Sequence, residues 1–165
     1  MKTNKKTSQL QIRVSPQEKK AILQKAKKAN LGISEWVLSK ALPPAQQAFV
    51  ELLKQLRHAS DPKYVLADIH DFLSKASADE FDLMVKDPLP PGLSDYLANY
   101  VTAMIEYTAD QKGRTPPSWT REVTSLEAPV FGSDLKSLRL YLLTHSLPPF
   151  RRRNIFIDSS VGHRI

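Results

Sequence analysis

Apolar and polar positions alternate at the start of the chain and then change period. Gln9, Gln11 and Arg13 interleave with Leu10, Ile12 and Val14, a two-residue repeat that predicts a short half-buried strand. Ser15-Pro16-Gln17-Glu18 follows. It supplies an N-cap, a proline at the first helical position and a capping-box glutamate, so a helix starts there. That helix keeps Ile22, Ala26 and Ala29 on one stripe with Leu23 beside it, and turns Lys20, Gln24, Lys27 and Lys28 away. Asn30-Leu31-Gly32 closes it. Ser34 is expected to cap a second helix, whose Val37/Ala41 and Leu38/Leu42 pairs are spaced i,i+4 and which Pro43-Pro44 stops. The first 42 residues read strand, helix, helix.

The rest of the chain keeps the helical period between prolines. Twelve prolines, from Pro16 to Pro149, mark off about six helices. Phe49, Leu52, Leu53 and Leu56 mark a third helix, and Val65, Leu66, Ile69, Phe72 and Leu73 a fourth. Ser77-Ala-Asp-Glu80 is another capping box, opening a short helix with Phe81, Met84 and Val85. Ser94 caps a longer one bearing Leu97, Tyr100, Val101, Met104, Ile105 and Thr108, a stripe broad enough to centre a helical core. Residues 112–133 read as an extended proline-rich loop crossing that core. A helix with Leu135, Leu138, Leu142 and Leu143 then runs to Ser146, and 154–157 reads as a strand. The fold class is mainly α. The expected domains are a head over 1–43 and a helical partner-binding unit over 44–165 with a basic tail.

Composition narrows the chemistry. At 165 residues, 41% hydrophobic and 25% charged, the chain falls among folded globular proteins. The absence of cysteine removes disulfides, thiol nucleophiles and Cys-ligated metals. No run approaches the ~18 apolar residues of a membrane span, and the lysines after Met1 precede no apolar leader, so a cytoplasmic protein is expected. The net charge of +7 is uneven: residues 1–30 carry nine basic side chains and one acid, 61–110 three and ten, and 111–165 nine and four. A cationic head is the footprint of a polyanion binder.

The opening strand poses a hydrogen-bond problem. Its backbone groups need a partner, the sequence beside it is helical, and a unit of this size sits near the limit at which a core needs oligomerisation. Both difficulties disappear if two copies pair their strands antiparallel, burying Leu10, Ile12 and Val14 with Ile22, Val37 and Leu38 of the helices. Gln9, Gln11 and Arg13 then emerge on one ribbon that fits the major groove, where Arg pairs with guanine and Gln with adenine. The alternative is pairing with 154–157 inside the chain.

With residues 9–14, Ser15-Pro16, the basic helix, the Asn30-Leu-Gly32 turn and Ser34-Glu-Trp-Val-Leu38, the head resembles the ribbon-helix-helix family of dimeric repressors, the Arc and MetJ type. The resemblance implies base reading by Gln9, Gln11 and Arg13. It also implies phosphate binding by Ser34 with the backbone N–H groups of Glu35 and Trp36, as helix N-termini favour anions. Glu35 departs from the pattern, because a carboxylate beside that phosphate repels it unless it points away. Lys5 and Lys6, with Lys2, are expected to form an arm that adds phosphate attraction without reading sequence.

Catalytic patterns are missing. The five glycines form no phosphate loop and no serine sits in a nucleophile elbow. Asp68, His70 and Asp71 read as a surface histidine among acids rather than metal ligands. No enzyme, cofactor or metal is expected. Phe150, Arg151, Arg152 and Arg153 form the other conspicuous cluster, either a solvated turn or a cationic and apolar partner-binding surface. The tail is also similar to a C-terminal pattern in antitoxin-like proteins encoded beside nucleotidyltransferase-type toxins. Together the resemblances imply a homodimeric operator-DNA repressor that acts as an antitoxin, autoregulating its operon and neutralising a cognate toxin. A plasmid mobilisation or partition accessory is the alternative, and a protein-interaction adaptor without DNA binding the third reading.

Overall fold

The computed structural model describes residues 11–41 and 44–158. Among the described residues the chain forms eight α-helices and one small sheet: α1 Pro16–Lys28, α2 Ile33–Ala41, α3 Pro44–His58, α4 Pro62–Lys75, α5 Ala78–Met84, α6 Asp95–Gln111, α7 Arg139–His145, α8 Pro148–Arg151, and the strands β1 Val130–Phe131 and β2 Ile155–Phe156. None of these helices is long and apolar enough to cross a membrane.

Local capping chemistry sets the starts of α1, α4, α5 and α6. Ser15 Oγ accepts the Glu18 N–H at 3.3 Å while the Glu18 carboxylate accepts the Ser15 N–H at 2.8 Å, a reciprocal box that Ser77 and Glu80 repeat at α5. Asp61 and Ser94 cap α4 and α6. After α1 the left-handed turn residue is Asn30, at φ 54°.

The core lies between α3, α4, α5 and α6. Phe49, Leu53 and Leu56 of α3 meet Leu66, Ile69 and Leu73 of α4, Phe81 and Met84 of α5, and Val101, Met104 and Ile105 of α6. Helix α6 is buried on nearly every side, polar residues included. Its polar side chains therefore need partners: the Asn99 amide donates to the carbonyls of Asp95 and Thr124, and Thr102 to that of Ala98.

The stretch read as an extended loop does cross this core, pinned by side chains. Lys112 Nζ donates to the carbonyls of Ser74 and Ala76 at the end of α4, where a cation suits the helix dipole. Arg114 reaches Asp79 and Asp82 on α5. Trp119, buried in a short 3-10 turn over Ser118–Glu122, donates its indole N–H to the Val85 carbonyl at 2.9 Å.

Two expectations change at the C-terminal end. The predicted turn at Pro148-Pro149 is a helix, α8, because prolines at the first helical positions lack only N–H groups that would be unpaired there. Strand β2 pairs in parallel with β1, Val130 opposite Ile155 and Phe131 opposite Phe156, and among the described residues 154–157 takes this partner rather than residues 11–14. Asn154, at φ 58°, turns the chain from α8 into β2 and donates to the Leu126 carbonyl.

Candidate nucleic-acid interface

The head presents the opposite of the buried core. Ala26 is the buried residue of α1, Ile22 and Val37 are half-buried, and Ile12, Val14, Leu23, Ile33 and Leu38 are exposed. Residues 11–15 lead into α1 without joining the β1–β2 sheet. Between this segment, α1 and α2 runs an open trough of about 1240 Å³, walled by Ile12, Val14, Ile22, Val37 and Leu38. Every described residue predicted for a dimer core lines it. A contiguous apolar surface of this kind marks an interaction site.

Gln11 and Arg13 are exposed. Gln9, Leu10, Lys5 and Lys6 lie outside the described residues, so Gln11 and Arg13 are the described members of the base-reading set and the lysine arm falls wholly outside them.

The predicted phosphate site needs a correction. Helix α2 starts at Ile33, so Ser34 lies inside the first turn rather than at the cap. The Gly32 carbonyl accepts the Trp36 N–H at 2.8 Å, and the Glu35 carboxylate accepts the Gly32 N–H at 3.2 Å. Glu35 does not point away. Its carboxylate folds back onto the start of α2, the end at which a helix attracts anions. The Glu35-Trp36 backbone thus begins a helix whose positive end already faces a negative side chain.

The tail cluster also divides differently from its sequence reading. Phe150 is buried and packs edge-on against Tyr100, ring centroids 5.2 Å apart. Arg153 is buried too. Its guanidinium bonds Glu106 at 2.5 Å, the Thr120 carbonyl at 2.8 Å, Asn99 Oδ1 at 3.1 Å and the Val123 carbonyl at 3.2 Å. A buried charge requires a partner and hydrogen bonds, and here α6 and the crossing loop provide both. Arg151 and Arg152 alone remain exposed, with Arg152 at 4.0 Å from Glu106. The predicted partner surface therefore loses Phe150 and Arg153 to the interior. The Arg153–Glu106 bond joins residues 47 apart in sequence, and no local pattern announces it.

A different tail surface is open instead. Of the leucines expected along the last long helix, Leu142 is buried, whereas Leu135, Leu138 and Leu143 are exposed, as are Leu140 and Tyr141. The Tyr141 hydroxyl is held above its ordinary pKa by the neighbouring Asp158 carboxylate. Arg139 lies over the Phe131 ring at 5.0 Å.

Residues 4–60 match the NikA-like family model, described as Mobilization protein NikA. No curated protein and no solved structure matches the chain significantly. The match covers about a third of the chain and runs past the predicted break at residue 43 to include α3. Helix α3 belongs to both parts: its Phe49, Leu53 and Leu56 enter the C-terminal core, while Gln47 donates to the Leu38 carbonyl of α2 at 3.2 Å.

Proposed function

We propose that this chain is a ribbon-helix-helix accessory protein of plasmid mobilisation, a homodimer that binds duplex DNA and acts by binding rather than by catalysis. The observation that carries the reading is the match of residues 4–60 to the mobilization protein NikA model, a family of ribbon-helix-helix type. The bare trough beside residues 11–15 supports it, because a second copy docking there would cover Ile12 and Val14 and give the opening strand its missing ladder. In that dimer Gln9, Gln11 and Arg13 face the major groove. The head over 1–43 makes the DNA contact, and 44–165 forms the helical body.

The family match sides with mobilisation over the antitoxin reading. No comparison supports a toxin partner, a repressor or a toxin–antitoxin system.

Two measurements test the proposal. A gel shift with DNA flanking the protein's own gene should show binding well above that to random duplex, and Arg13→Ala should lose ~1–3 kcal/mol of that preference. Deleting the gene should lower transfer of the replicon that carries it into recipient cells. Equal binding to all duplexes together with unchanged transfer would overturn the reading.

A further inference from the structure

The lysines of α1 carry charge that nothing in the described structure neutralises. Lys20, Gln24, Lys27 and Lys28 follow i, i+4, i+7, i+8 spacing and share one helix face, with Lys25 beyond its edge and Lys19 turned to the trough, which it lines; all are exposed. Among the described residues no carboxylate forms an ion pair with any of these lysines. The two acids of the described head are committed elsewhere, Glu18 to the Ser15 N–H and Glu35 to the Gly32 N–H. Residues 11–41 thus present seven basic side chains against two capping carboxylates.

We propose that this face is a phosphate-backbone contact for duplex DNA, separate from the ribbon and indifferent to sequence. The inference rests on the DNA-binding reading and adds a second element to it. From Lys20 to Lys28 the helix rises ~12 Å, which passes about three or four phosphates of one strand at ~3.4 Å per charge. The spacing therefore suits one lysine per phosphate or nearly so. The face lies opposite Ile22 and Ala26, which pack toward α2, so it stays open when a second copy covers the trough, and a two-fold dimer offers it twice.

An anionic membrane is the weaker match. Interfacial helices sink an apolar face bearing Trp, Phe or Leu into the bilayer, whereas α1 has no aromatic residue, and its Ile22 and Ala26 face is committed to the protein.

The test measures binding of the full-length chain to a fluorescein-labelled random-sequence duplex by anisotropy across a salt series. It compares wild type, Lys20→Gln/Lys27→Gln/Lys28→Gln, the same three positions changed to Arg, Lys136→Gln/Arg139→Gln and Arg13→Ala. Gln and Lys have nearly equal helix propensity, and circular dichroism confirms folding. The Gln triple variant should flatten the salt slope by about five, at ~0.9 per lost phosphate contact with three lysines on each of two copies, and weaken binding at physiological salt. The Arg triple and the Lys136/Arg139 pair should keep the wild-type slope. A wild-type slope in the Gln triple, with wild type binding duplex, overturns this inference and leaves the ribbon standing. A flattened slope in the Gln triple while Arg13→Ala keeps its preference for DNA flanking the gene sinks the ribbon reading instead. No duplex binding by wild type overturns both, as does flotation with anionic vesicles in place of it.

Discussion

Truncating Ile12 tests whether the trough is a dimer interface. Ile12 remains 59% exposed in the single chain although it sits among apolar neighbours. Ile12→Ala removes three side-chain carbons, worth ~2.4 kcal/mol if all were taken from water on association. Only the exposed fraction remains to be covered, which leaves ~1.4 kcal/mol per copy. Two-fold symmetry places the residue in the interface twice, so the loss approaches ~3 kcal/mol, or about a hundredfold in dimer dissociation constant. Sedimentation equilibrium over a wide concentration range reads that constant directly. Leu140→Ala is the control: at 74% exposure it is more open than Ile12 but lies on α7, so it should leave dimerisation unchanged. A wild-type constant for Ile12→Ala, or a wild type that stays monomeric at micromolar concentration, refutes the reasoning. An effect of Leu140→Ala as large as that of Ile12→Ala would move the interface to the tail.

Three further outcomes follow from the site geometry. Arg153→Met should cost about 3–5 kcal/mol of unfolding free energy in urea, because it strands the Glu106 carboxylate in the interior; adding Glu106→Leu should recover most of it. A single-variant loss below ~1 kcal/mol would place the pair with ordinary surface bridges. Glu35→Gln keeps an acceptor for the Gly32 N–H but removes the charge from the start of α2, so duplex affinity should rise about two- to fivefold, from ~0.3–1 kcal/mol of relieved repulsion; unchanged binding would separate that helix end from the phosphates. The Ser77 donors hold the Glu80 carboxyl below its ordinary pKa of 4.5, so its contribution is complete above that value and fades as pH falls through the lowered one. The Tm gap between wild type and Glu80→Ala should be constant near neutrality and narrow in acid, and a gap that widened there would contradict the sign.

Cap signals and periodicity in the sequence account for much of the helical scaffold because they are local. The serine boxes at Ser15 and Ser77 use donors and acceptors three residues apart, and the heptad-like stripes of α3, α4 and α6 became the core. Ser34 shows where locality fails. A serine before an apolar run is an N-cap by pattern, yet Gly32 accepts the first helical hydrogen bond and Glu35 closes the turn. Two overlapping capping choices compete at that point, and the sequence does not rank them.

The sequence by itself determined the alternation of Ile12 and Val14 with Gln11 and Arg13, the positive face of α1 and the mainly helical class, since each depends only on residue type and spacing. Tertiary structure decided which members of a cluster are inside. Arg151, Arg152 and Arg153 are chemically identical, but only the third is buried, where it bonds Glu106, Asn99 and the carbonyls of the crossing loop. Likewise Leu142 alone is buried of the four leucines expected to share one helix, and Leu135 and Leu138 precede α7. A charge or an apolar side chain is buried according to the groups that distant segments bring to it, and that arrangement exists only once α6, the loop after it and the β1–β2 pair have packed together.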